Sequence, residues 1–286
     1  MTNQLFINNE FIESQSKETM DVINPATGEA FDTITLATEE EVNDAIEKSQ
    51  QAQLEWERVP QPTRAEHVKL LIPLLEKNRD EIAQLYVKEQ GKTLTQAYGE
   101  IDKSISFIDY MTSLSMSDKG RVLQNSIANE TIQIINKPIG VTAGIVPWNA
   151  PILVLMRKVI PAIVTGCSVV IKPSEETTLL TLRLAELFRA STIPAGLIQI
   201  VPGTGETVGT QLASHKDIQL ISLTGSMRAG KSVYENAAQT VKKVNLELGG
   251  NAPVIVTSNA DLDKAVNYIV TARINNAGQV CTCPER

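Results

Sequence analysis

The chain has 286 residues, 42% of them hydrophobic and 21% charged, enough apolar content to bury one large core or two ordinary ones. Its formal net charge is −7, from 26 Lys and Arg against 33 Asp and Glu, and no basic stripe runs along it, which argues against nucleic acid as a partner. Three cysteines (Cys167, Cys281, Cys283) are too few for a disulfide framework, the first residues lack a secretory pattern, and no run of about 18 apolar residues occurs, so a cytoplasmic protein without a membrane span is expected.

Residues 5 to 36 alternate short apolar runs with turn signals such as Asn24-Pro25 and Thr27-Gly28, which predicts small strands and hairpins. Thr38 with Glu41, and Thr63 with Glu66, match a capping box ahead of helical spacing, so residues 38 to about 117 read as helices. RVLQNSIANETIQIINK, residues 121 to 137, returns to alternation and reads as a hairpin. Beyond it, the apolar runs GVTAGIVP, SVVIKP, LIQIVPG, IQLISLTG and PVIVTS are separated by segments of helical period. That order predicts an α/β fold, a parallel sheet covered on both faces, with ligand crevices at the carboxyl ends of its strands.

Five stretches could carry chemistry. PGTGETVG, residues 202 to 209, could cradle a phosphate, although its spacing is one residue off the dinucleotide fingerprint and a tight turn explains it as well. SLTGSMRAG, residues 222 to 230, offers a helix start to a pyrophosphate, or simply an N-cap by Ser226. IKPSE, residues 171 to 175, sets a carboxylate past a buried strand, where it could bind ribose hydroxyls and repel a 2′-phosphate, or sit in a solvated turn. In LELGG, residues 246 to 250, Glu247 is either a half-buried general base or the water-facing residue of an alternating strand. Cys281 follows Gly278 and Gln279, which suits a nucleophile, while an inert buried thiol is the ordinary alternative. Neither His67 nor His215 has metal-ligand spacing to the C-x-C pair, so no metal is expected.

Phe6-Ile7-Asn8-Asn9, INPATGE, PIGVTAGIVPWNAP, TGCSVVIKPSE, PGTGETVG, LTGSMRAG, LELGGNAP and NNAGQVC follow one another in a single order from near residue 5 to residue 286. Together they resemble the aldehyde dehydrogenase superfamily. The resemblance implies a Rossmann-like NAD-binding domain over residues 1–245, with N-terminal helices and a hairpin near 121–137 for oligomerisation, and the beginning of a catalytic domain over 246–286. It implies NAD as cofactor, Cys281 as nucleophile, Glu247 as the base that activates water, and Asn149 as donor to the oxyanion. Lys172 and Glu175 match positions that hold the adenosine ribose, Gly225 and Ser226 the turn at the pyrophosphate, and Gly205 and Gly209 the adenine pocket, which replaces the phosphate reading of PGTGETVG. Val146, Trp148 and Ser174 complete the implied cofactor set. An aldehyde would become a carboxylate through a thiohemiacetal and a thioester, and Glu247 favours hydrolysis over the acyl transfer of CoA-dependent relatives.

FIDYM, LMRKVIPAI and NNAGQVCTCPER look most like the branch of bacterial lactaldehyde and glycolaldehyde dehydrogenases. There Arg157 matches an arginine that positions a hydroxylated substrate, with a solvent-facing helix arginine as the equal alternative. Thr282 stands where that branch has an asparagine touching substrate. Asn251 and Met227 replace a lysine and a threonine common in the family without removing an assigned group. The family is homo-oligomeric and continues past the cysteine for a further domain-sized stretch, with a later oligomerisation strand. A cofactor-binding module or an inactive fragment is therefore the alternative expectation for these 286 residues alone.

Overall fold

A computed structural model describes residues 4–117, 120–127 and 129–286. The chain opens with β1 (Gln4–Ile7) and β2 (Glu10–Glu13), joined by Asn8 and Asn9, both at positive φ, the conformation a two-residue hairpin turn requires. β3 (Thr19–Asn24) and β4 (Glu29–Thr35) form a separate antiparallel pair. Five helices follow: α1 (Glu39–Trp56), α2 (Gln61–Lys69), α3 (Leu71–Lys77), α4 (Arg79–Gln90) and α5 (Leu94–Ser115). The capping box on α1 forms in both directions, Glu41 N–H to Thr38 Oγ1 at 3.2 Å and Thr38 N–H to Glu41 Oε2 at 2.8 Å. The second expected box does not form. Thr63 lies inside α2, because Pro60 supplies the preset φ that starts that helix earlier.

The hairpin is present as β5 (Arg121–Gln124) against β6 (Thr131–Ile134). Then come β7 (Val141–Ile145), α6 (Pro151–Val164), β8 (Ser168–Lys172), α7 (Thr178–Ala190), β9 (Ile198–Ile200), α8 (Thr210–Ser214), β10 (Leu220–Gly225), α9 (Met227–Ala238), β11 (Lys243–Leu248) and α10 (Leu262–Ile274). One seven-stranded sheet has the order β11-β10-β7-β8-β9-β1-β2, parallel from β11 to β9, with β1 and β2 antiparallel at one edge.

β7 and β8 are buried at every residue, as central parallel strands should be. Their side chains alternate between two apolar clusters. Val169 and Ile171 pack with α2 to α7 on one face, while Ala143, Ile145 and Val170 pack with α1, α8 and α9 on the other.

PVIVTS is the exception among the predicted strands. Residues 253–258 form no ladder, and Ile255 is 85% exposed. An apolar run becomes a strand only with a neighbour to pair with, and here only Ala252 makes a bridge, to Pro284. The sheet itself runs through Leu248, three residues past the expected division at 245. Among the described residues no helix is long and apolar enough to cross a membrane.

Candidate active site

After β7 the chain winds outward through β8 and β9, then returns to place β10 on the opposite side of β7. Reversal of direction leaves a crevice outside the carboxyl ends of β7 and β10, because the loops that follow them part to opposite sides. Val146, Lys172, Gly205, Gly225 and Glu247 stand at or just beyond the carboxyl ends of β7, β8, β9, β10 and β11 respectively. Five motifs scattered over a hundred residues of sequence thus share one edge.

At the end of β8, Lys172 is buried and its three donors are engaged: Pro173 O at 2.6 Å, Gly203 O at 2.8 Å and Glu175 Oε1 at 3.2 Å. Burial lowers its pKa, and the Glu175 charge opposes that. Glu175 Oε1 also accepts the Gly205 N–H at 2.9 Å, so the carboxylate binds the β8 loop to the glycine turn after β9. That turn, Gly205–Gly209, is a π-helical turn capped by Thr204, and a Cβ on Gly209 would come no nearer than 3.8 Å to Ile145, Thr204 O or Lys172. Ser174 is buried and caps the short turn at Glu175–Thr177. Ser226 caps α9 by accepting the Ala229 N–H at 3.2 Å, which leaves the helix start just past Gly225 facing the crevice edge. Val146 is buried and donates its N–H to Lys172 O, while Trp148 is 40% exposed. The N-cap expected in SLTGSMRAG is present, and it leaves the other free N–H groups of the helix start without an intrahelical partner. Nothing in these groups conflicts with a dinucleotide: a partly exposed carboxylate, a helix start and an uncrowded glycine turn are the parts that one needs.

Asn149 and Cys281 are brought together. Asn149 Nδ2 donates to Gln279 O at 2.7 Å, two residues before the thiol, and Asn276 Nδ2 reaches both Asn149 O at 3.2 Å and Gln279 O at 3.3 Å. Asn276 holds φ at 49° and Gly278 at 80°, the left-handed conformations that turn the segment back on itself. Cys281 is exposed, whereas Cys283 is buried with its Sγ against Arg273 O at 3.2 Å. The stretch after Glu247 also approaches: a Cβ on Gly250 would lie 3.8 Å from Cys281 O. Glu247 is exposed, at the second-last position of a strand of alternating burial. Arg157 is exposed on α6 with its guanidinium 6.0 Å from the Phe107 ring centre, and Thr282 is exposed beside Cys281.

One buried cation was not singled out from sequence. Lys158, on the sheet-facing side of α6, donates to Ser222 Oγ at 2.9 Å and Thr224 Oγ1 at 3.1 Å on β10. Burial pushes its pKa down to about 8, with the charge of Glu247 opposing. A lysine four residues from Val154 and from Ala162, on the apolar side of a helix whose other charge is Arg157, was the available signal.

Fold and crevice define a doubly wound α/β protein of the kind that holds nucleotides at a sheet's switch point. The aldehyde dehydrogenase family matches residues 11–286, and the chain belongs to that family of oxidoreductases. It is 38% identical over 283 residues to succinate-semialdehyde dehydrogenase [NADP(+)] of Escherichia coli, covering 99% of this chain and 59% of that protein. The crystal structure of lactaldehyde dehydrogenase from Escherichia coli superposes with a TM-score of 0.97 at 37% identity, covering 99% of this chain and 59% of the other. A betaine aldehyde dehydrogenase from Staphylococcus aureus, solved with NAD+, gives a TM-score of 0.94 at 35% identity over 98% of this chain and 58% of its own. The chain therefore spans about three fifths of the length of the relatives it matches.

Proposed function

We propose that these residues form the cofactor-binding part and the nucleophile segment of an enzyme that oxidises a small hydroxyaldehyde, such as lactaldehyde or glycolaldehyde, to its carboxylate with NAD. The observation that carries this reading is the convergence of the Asn149 amide and the Gly250 stretch on the segment bearing an exposed Cys281. Cys281 Sγ attacks the aldehyde carbon, and the new oxyanion is met by the Cys281 N–H and by Asn149 Nδ2 once it leaves Gln279 O. When bound, NAD supplies the acceptor for the departing hydride. Glu247, exposed at the end of β11, then draws a proton from the water that releases the acid from sulfur. Glu175 favours NAD over NADP, because a carboxylate beside the ribose repels a 2′-phosphate. Arg157 and Thr282 are assigned to the substrate side. The cofactor-binding unit spans residues 1–245 and the beginning of the catalytic unit 246–286.

Calorimetry on the 286-residue chain tests the cofactor half: NAD is expected to bind, and NADP at least about tenfold more weakly. No heat with either nucleotide would overturn the reading. The chemical half is tested in the chain extended to the length of its relatives. Lactaldehyde-dependent NADH formation is expected there, and Cys281→Ala should abolish it.

A further inference from the structure

Beneath Asn149 lies a cluster that the scheme above does not use. Tyr86 on α4, Lys92 in the following loop and Glu100 on α5 are all buried. Glu100 Oε2 accepts from Lys92 Nζ at 2.6 Å and Tyr86 Oη at 2.6 Å, and Lys92 Nζ donates to Tyr86 Oη at 2.7 Å. Glu100 Oε1 accepts the N–H groups of Ile152 and Leu153, each at 3.1 Å. Those are orphan donors in the first turn of α6, whose own N-cap residue, Ala150, has no side chain to offer them. The third donor of Lys92 goes to the main-chain carbonyl of Asn149 at 3.1 Å. Every polar atom of the ion pair is thus committed, and burial with the Glu100 charge raises the Tyr86 pKa, which keeps the phenol protonated as a donor.

We propose that Lys92 and Glu100, braced by Tyr86, are positioning residues for Asn149: Glu100 fixes the start of α6, and Lys92 grips the Asn149 carbonyl so that its amide points at the Cys281 segment. This rests on the reading of Asn149 as an oxyanion donor. A helix cap requires only Glu100. Lys92 adds a hold on Asn149, whose side chain crosses to Gln279 O and whose carbonyl Asn276 also reaches, so loosening it should free residues 276–283 as well as the start of α6.

Hydrogen–deuterium exchange on the 286-residue chain tests the coupling. The double variant Lys92→Met/Glu100→Gln removes both charges together, so no lone ion is left buried, and keeps a carbonyl for the α6 cap. Exchange in 276–283 is expected to rise about tenfold, as for loss of one charged hydrogen bond, with α7 unchanged and NAD affinity within about twofold. Tyr86→Phe, which leaves the Lys92 to Asn149 contact in place, should change it by less than about threefold. Unchanged exchange in 276–283, or equal acceleration in every peptide, would overturn the proposal. Should the double variant not fold, Lys92→Gln is read against the same outcomes. In the extended chain the same change should lower kcat by about 30-fold and leave KM for NAD unaltered, as misalignment of a donor does. An equal rise in KM for NAD would mean general damage and count against it. NAD calorimetry on the unmodified chain bears on the function alone, so the two readings can fail separately.

Discussion

Lys158 shows what burial does to one side chain. Its ammonium has two hydroxyl partners, burial outweighs the opposing charge of Glu247, and its pKa falls to about 8 from 10.5. Below pH 8 both folded and unfolded chains carry this proton, and the folded form bears the whole cost of the buried charge. Between 8 and 10.5 only the unfolded chain keeps it, so stability rises with pH through that window. Lys158→Met should remove this contribution. The difference between parent and variant unfolding free energies from urea titrations is expected to grow in the parent's favour by up to about 3 kcal/mol across it. A flat difference would refute the assignment. The residues singled out from sequence were those that sit in a local motif, such as Cys281 with its Gly-Gln lead and Glu175 after its strand. Lys158 was not, because its meaning comes from hydroxyls 64 and 66 residues away on β10.

At the level of elements, α6 is apolar enough to be read directly from sequence, but what holds its ends is not. Its N-terminus borrows Glu100 from α5. Near its C-terminus, Trp56 Nε1 donates to Ile163 O at 2.8 Å, Arg64 Nε to Val164 O at 3.1 Å and Gln53 Nε2 to Gly166 O at 3.1 Å. Arg64 looks like a surface residue in PTRAEH, yet it is 7% exposed and burial lowers its pKa. Arg64→Met should cost about 2–3 kcal/mol in a urea titration, because carbonyls of Val164 and Val59 lose a charged donor. Arg58→Met, which breaks an exposed pair with Glu55, should stay within about 0.5 kcal/mol. Equal costs for the two arginines would contradict this account. The same logic explains which boundaries were legible. Thr38 and Glu41 cap α1 because nothing competes with them, Thr63 does not cap because Pro60 starts α2 first, and PVIVTS lacks the partner that a strand requires.

Over the whole molecule, helices cover the sheet on both faces, and two of the places where apolar side chains stay exposed are whole elements. One is α10 with the stretch before it, where α10 buries none of its residues. The other is the β5–β6 hairpin, in which Leu123 pairs with Ile132 and Val122, Ile127 and Ile135 are each more than half exposed. An isolated two-stranded ribbon with open edges is marginal in water, and a contiguous apolar patch of this kind marks an interface. Among the described residues the hairpin pairs with no other strand, and the expectation that it serves oligomerisation makes a second copy of the chain the cover to test. Sedimentation velocity at micromolar concentration should show self-association of the 286-residue chain. Leu123→Glu with Ile132→Glu should return it to a monomer, because like charges opposed across one pair repel and lose the apolar contact. Both side chains lie outside the two apolar clusters, so the unfolding free energy of the core from a urea titration should hold to within about 0.5 kcal/mol. A parent chain that sediments as a monomer would refute the hairpin interface, and a variant that still associates would move it to the exposed face of α10.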